Sequence, residues 1–305
     1  MINGVIAVHK EPGMTSHDVV AKLRKIFKTK QIGHTGTLDP EVSGVLPICI
    51  GQATRISEYI MEMPKQYEGQ MVLGISTTTE DFTGEPIEVR KVEKDALTPK
   101  KIESVSQSFI GEIEQIPPMY SSVKVQGKRL YELAREGKVI DRKPRQVTIY
   151  DLKLKSLELE IEYPTVDFQV TCSKGTYIRT LCVDLGKKLG YPAHMSKLIR
   201  TSSGSFTIDN AYTLQEIEEL VDNNQIGEVI TPMAEALPYL EKMELTNEDI
   251  HNKIYNGQKI SLANPSKKAG LIKIVDSNNR LVALYETSIN SLFIKPKKVF
   301  KPVEE

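Results

Sequence analysis

The chain has 305 residues, enough for one large domain and one small one, and its 40 Lys and Arg are balanced by 40 Asp and Glu. This balance argues against a uniformly basic nucleic-acid coat, and 40% hydrophobic with 26% charged residues is the composition of an ordinary globular protein, neither disordered nor membrane-embedded. No apolar stretch approaches bilayer length and the N-terminus lacks a secretory signal, so a cytoplasmic location is expected.

In chain order, Ile2 to Val8 reads as a strand, closed by the turn Glu11-Pro12-Gly13. Thr15-Ser16-His17-Asp18 is rich in capping side chains, and Val19, Val20, Leu23 and Ile26 follow at helical spacing. Gly33 to Gly44 has three glycines and no apolar period, which predicts a loop; Val45 to Ile50, nearly all apolar, anchors it as a buried strand. Tyr67 to Gly74 predicts another strand, Thr77 to Gly84 a polar loop and Lys101 to Phe109 a helix. Val147 to Ile149, Lys153 to Ile161 and Val166 to Cys172 alternate as half-buried strands. After the turn at Ser173-Lys174-Gly175-Thr176, residues Ile178, Leu181, Cys182, Leu185 and Leu189 mark one helix face, with Arg179 in the first turn and Gly186 weakening the far end. Thr231-Pro232 to Pro238 changes the composition and sets a boundary near residue 237. Beyond it, Leu271 to Val275 and Leu281 to Tyr285 flank a hairpin turn at Asp276 to Asn279.

Cys49, Cys172 and Cys182 are odd in number and lie in apolar surroundings, which predicts reduced core thiols. The five histidines, His9, His17, His34, His194 and His251, lack zinc-site spacing, so no metal is expected.

Charge is uneven along the chain. Lys22, Arg24, Lys25, Lys28 and Lys30 form one acid-free run. A second, Tyr120 to Tyr150, holds Lys124, Lys128, Arg129, Arg135, Lys138, Arg142, Lys143 and Arg145 against Glu132, Glu136 and Asp141. A third spans Lys174 to Arg200, while Thr213 to Ile250 is acidic. Any one run is ordinarily a solvated face. Tyr120, Tyr131 and Tyr177 among the cations point further, because cations beside aromatic faces suit recognition of phosphate and base together.

Asp39 in the glycine loop, Tyr67 on a strand and Arg179 at a helix start are the candidates for chemistry. Taken singly, each has an ordinary reading: a turn carboxylate before proline, a strand aromatic, a surface cation. The glycines lack the Gly-Lys-Ser/Thr ending of a phosphate loop, and no Gly-x-Ser-x-Gly elbow occurs.

Gly33-His34-Thr35-Gly36-Thr37-Leu38-Asp39-Pro40 resembles the signature loop of the bacterial tRNA pseudouridine-55 synthases, the TruB family. Lys10-Glu11-Pro12-Gly13-Met14-Thr15-Ser16, Lys65-Gln66-Tyr67, Pro117 to Lys124, Lys174 to Thr180 and His194 to Thr201 resemble further motifs of that family, in family order. The departures are Glu11, where the family often has Pro, and Ser122, where it often has Ala. The resemblance implies a mixed α/β (α+β) catalytic domain over residues 1–237 and a small β-barrel-like PUA-type RNA-binding domain over 238–305, with Lys295, Lys297, Lys298 and Lys301 toward RNA. It implies cofactor-free isomerisation of a uridine, position 55, in the T-arm loop of tRNA, moving the glycosidic bond from N1 to C5 of a flipped base. Asp39 matches the nucleophile, attacking C1′ of the ribose or C6 of the base; Arg179 matches the arginine paired with it, and Tyr67 the stacking aromatic. His34, Tyr177 and Leu198 match positions around the flipped nucleotide. Lys124, Lys128 and Arg129 lie in the basic segment expected to hold phosphates and to close over RNA. No membrane partner is expected, and a monomer is the expected state. The rivals are an RNA chaperone using the same basic faces and an Asp-nucleophile glycoside hydrolase, which would need a second carboxylate such as Glu41.

Overall fold

A computed structural model describes residues 2–93, 96–125 and 127–301; the side chain of His251 lies outside the described residues. The chain forms two compact units, one of Met1–Asp39, Leu46–Met61 and Asp209–Glu305, the other of Pro40–Val45 and Glu62–Ile208.

The first unit opens with β1 (Gly4–Lys10), whose Val5, Ile6 and Val8 are fully buried. At the following turn Gly13 has φ +83°, and the buried Lys10 ammonium donates to the carbonyls of Glu11 and Met14. Helix α1 (Ser16–Ile26) starts where Thr15 and Asp18 form a reciprocal cap, the Asp18 amide donating to Thr15 Oγ1 at 3.1 Å and the Thr15 amide to Asp18 Oδ2 at 2.8 Å. Its Val19, Val20 and Leu23 are buried. Strand β2 (Ile32–His34) pairs antiparallel with the end of β3 (Ser43–Ile50), and the start of β3 pairs in parallel with Ile199 and Arg200, so the expected loop is shorter than residues 33–44: main-chain pairing takes Gly33 and His34 at one end and Ser43 and Gly44 at the other. Strand β3 begins in the second unit and ends in the first, followed by α2 (Ser57–Glu62).

In the second unit, β4 (Lys65–Leu73) precedes the short pair β5 (Ile75–Thr77) and β6 (Pro86–Val89), then α3 (Pro99–Gln107) and β7 (Gly111–Gln115). A small hairpin, β8 (Lys124–Val125) and β9 (Lys128–Arg129), leads into α4 (Leu130–Arg135). The two alternating runs near residue 150 are one strand, β10 (Arg145–Glu158), whose pattern is broken by irregularities at Ile149/Asp151 and Leu154/Ser156. Next come β11 (Thr165–Cys172), α5 (Ile178–Leu189), β12 (Ala193–Ser203) and β13 (Phe206–Thr207). In the sheet, β12 lies between the start of β3, to which it is parallel, and β4; β11, β10 and β7 then follow antiparallel.

The chain returns to the first unit with α6 (Leu214–Asp222) and a five-stranded sheet in the order β14 (Glu241–Glu244), β16 (Gly270–Val275), β17 (Leu281–Thr287), β18 (Phe293–Val299) and β15 (Ile260–Ser261). Ile250, Ile254, Ile272, Ile274, Val282, Ala283, Tyr285 and Ile294 fill its core, five of them from the two apolar runs at 271–275 and 281–285. At the expected hairpin, Asp276 accepts from the amides of Asn278 and Arg280 at 3.0 and 2.8 Å, and Asn279 takes φ +60°.

Candidate active site

In the first unit the glycine loop is fastened at two positions, Thr35 and Leu38. Thr35 is fully buried and donates through both its amide and its hydroxyl to the Pro47 carbonyl, at 3.1 and 3.2 Å. Gly36 takes φ +147°, a backbone state that side chains resist. Leu38 is buried, and buried Ser16 both receives its amide, at 2.9 Å, and donates to its carbonyl, at 3.2 Å. Asp39, half-buried, therefore follows a residue whose backbone is held on both polar groups. His34 accepts the Gly36 amide on Nδ1, and its ring meets His17 edge-on at 5.4 Å.

In the second unit Arg179 lies in the first turn of α5 and is only 5% exposed, so it is no surface cation. Its guanidinium donates to the carbonyls of Thr79 at 3.0 Å and Tyr120 at 2.8 Å, with Asp81 Oδ2 at 3.6 Å. Asp81 is in turn fixed by the Thr79 hydroxyl at 2.7 Å and by the amide and hydroxyl of Thr83 at 3.0 and 2.6 Å. Asp81 carries no motif of its own, and only its place in a loop dense in threonine marks it in the sequence. Beside it Glu80, at φ +64°, accepts from Thr180 Oγ1 at 2.6 Å, and burial pushes its carboxyl above the ordinary range although that bond and Arg179 oppose the shift.

Tyr67 on β4 stands opposite Val170 of β11 and Arg200 of β12, while Gly69 stands opposite Phe168 and Leu198. Residues facing one another across antiparallel strands share a side, so Tyr67 and Leu198 lie on one face of the sheet. A Cβ on Gly69 would come within 2.8 Å of Phe168 and 3.0 Å of Leu198: those two side chains occupy the space that Gly69 leaves. Tyr177 is the N-cap of α5. Lys124 and Lys128 are exposed on the small hairpin, Lys128 paired with Glu136 at 3.2 Å, and Arg129 donates to the Tyr131 hydroxyl at 3.1 Å. Tyr131 also carries the Arg135 guanidinium over its ring at 5.4 Å, so the cation-aromatic interleaving read from sequence is a physical contact at that residue. Among the described residues, no three His, Cys, Asp or Glu are grouped to hold a metal ion.

Two family patterns match this chain. Residues 24–178 match the TruB family pseudouridylate synthase N-terminal domain, and residues 179–238 the tRNA pseudouridylate synthase B C-terminal domain. A tRNA pseudouridine synthase B of Staphylococcus saprophyticus is 51% identical over 304 residues, covering 98% of this chain and 100% of that protein. The chain belongs to the TruB family of pseudouridine synthases. Its fold is that of the family: a crystal structure of a Cbf5-Nop10-Gar1 complex superposes with a TM-score of 0.75 at 29% identity, covering 98% of this chain and 85% of the other. A structure of an H/ACA RNP bound to a substrate RNA containing 2′-deoxyuridine matches at a TM-score of 0.73 and 28% identity, covering the same shares. These matches make the sheet-and-helix part a pseudouridine synthase fold and the C-terminal five-stranded sheet a PUA-like element.

Proposed function

We propose that this TruB-family chain isomerises uridine 55 in the T-arm loop of tRNA to pseudouridine, with Asp39 as nucleophile. The observation that carries the assignment of Asp39 is the double hold of Ser16 on Leu38, which gives the adjoining carboxylate a fixed origin. The target uridine leaves its stack, and Asp39 attacks at C1′ or C6. The N1–C1′ bond breaks, the base turns and the C5–C1′ bond forms; Asp39 is released from whichever carbon it holds, the C5 proton is lost to solvent, and N1, freed of the ribose, takes one up. Atoms and electrons balance without an oxidant or cofactor. By the family resemblance, Arg179 is the arginine that pairs with the nucleophile. The Tyr67 ring stacks on the base and its phenol assists the last proton transfer; His34, Tyr177 and Leu198 surround the flipped nucleotide. Lys124, Lys128 and Arg129 hold phosphates, and residues 238–305 serve as a PUA-type RNA-binding domain appended to residues 1–237. On this reading the chain acts as a cytoplasmic monomer; among the described residues no helix is long and apolar enough to cross a membrane.

The test is tritium release from tRNA carrying C5-labelled uridine, since only substitution at that carbon expels the label. The protein should release label from position 55, and Asp39→Asn should bind the same tRNA and release none. A wild-type protein that binds without release would be a chaperone, and release by Asp39→Asn at the wild-type rate would remove Asp39 from the chemistry.

A further inference from the structure

Strand β7 alternates outward Glu112 and Glu114 with inward Ile113 and Gln115, and Gln115 is only 1% exposed. An inward position on an alternating strand ordinarily carries an apolar side chain, and a buried amide is costly unless both its halves are bonded. Both are bonded, and to the same residue: Gln115 Oε1 accepts the Tyr177 amide at 3.0 Å, and Nε2 donates to the Tyr177 carbonyl at 3.1 Å. Tyr177 is the N-cap of α5, and its own side chain makes no capping bond. In a capping box the N-cap amide is taken by the side chain three residues on. Here that residue is Thr180, which is committed to Glu80 at 2.6 Å. A glutamine from a separate strand supplies the missing half of the cap.

We propose that Gln115 is a positioning residue for the isomerisation, setting where α5 begins and hence where Arg179, two residues past Tyr177, directs its guanidinium. The chain leaving Gln115 reaches Tyr120 five residues later, and the Tyr120 carbonyl accepts from Arg179 at 2.8 Å. One buried amide thus ties the helix start to the strand that delivers a second hold on the same arginine. The proposal rests on the functional reading above, so its test carries one readout that does not depend on turnover.

That readout is amide hydrogen exchange at Tyr177. In Gln115→Leu, which fills similar volume with no polar atom, exchange at Tyr177 should accelerate by about tenfold or more while the core of β11 keeps its protection. In single-turnover label release, Gln115→Leu should be slower by about tenfold or more with tRNA affinity within about twofold of wild type. Gln115→Glu, which keeps the acceptor and loses the donor, should fall between. Ile113→Ala, the inward neighbour on the same strand, should lower thermal stability and leave the single-turnover rate intact. Unchanged exchange and rate in Gln115→Leu would overturn the proposal, as would a loss confined to affinity. If Gln115→Leu does not fold, Gln115→Glu decides: a wild-type rate there overturns the role. Accelerated exchange alongside a wild-type protein that releases no label would uphold the helix clamp and place the failure in the reaction.

Discussion

Arg179 illustrates how much one side chain's surroundings change its meaning. Each of its two terminal nitrogens donates to a carbonyl, of Thr79 and of Tyr120, from two segments, and the same planar group faces Asp81 at 3.6 Å. A lysine ammonium is a single point and cannot span that fork. Arg179→Lys should therefore leave one buried carbonyl short of a donor, costing about 1–3 kcal/mol of stability. It should also lower single-turnover label release by at least about a hundredfold, with a much smaller change in tRNA affinity. Denaturant titration, rate and binding measured on the same preparation check this together. A rate within about threefold of wild type would show that the planar geometry is not what the reaction uses.

Helix α5 and strand β12 are joined by a contact that only a glycine permits. A Cβ at Gly186 would sit 2.3 Å from Ala193 Cβ and 2.9 Å from the Tyr191 carbonyl, and Gly190 ends the helix at φ +94°. Alanine is the better helix former by about 1 kcal/mol. The overlap nevertheless forces the helix off the strand, and Gly186→Ala should destabilise the protein by about 1–3 kcal/mol net. Gly227→Ala, where nothing lies within 4 Å of the added carbon, should be close to neutral in the same thermal melt. The periodicity of residues 178–189 made this helix legible from sequence, but not the reason for its glycine, which lies on the next element. Strand β12 was not legible as a strand at all: register shifts at Met195/Lys197 and Arg200/Ser202 break the alternation that announces one. The same holds at the candidate site. Asp39, Tyr67 and Arg179 stand out through local motifs, whereas Asp81 and Gln115 act through partners about 100 and 62 residues away, which no local pattern encodes.

At the scale of the whole molecule, the buried titratable groups set how stability depends on alkaline pH. Lys65 is 6% exposed and donates to the Met63 carbonyl at 2.7 Å; burial, and then the charge of Arg200, push it down to about 8 from the ordinary 10.5. The folded chain thus sheds this proton near pH 8 while the unfolded chain keeps it to 10.5, so the unfolded state binds more protons in that window and stability rises with pH. Lys273, lowered by burial, acts in the same sense. The thiols act oppositely. Burial raises Cys49 and Cys172 from 9.0 to about 12 and raises Cys182 also, so above pH 9 the unfolded chain loses protons that the folded one retains. Three thiols outweigh two ammoniums, and stability must turn over. The free energy of urea unfolding should rise only slightly, by a few tenths of a kcal/mol between about pH 7 and about pH 8.5, and fall beyond it. Lys65→Met should flatten the rising limb without moving the falling one, because it removes the ammonium and leaves the thiols in place. A wild-type curve that declines steadily from pH 7.5 would mean that Lys65 is solvated in the folded protein and that the sheet around it opens to water.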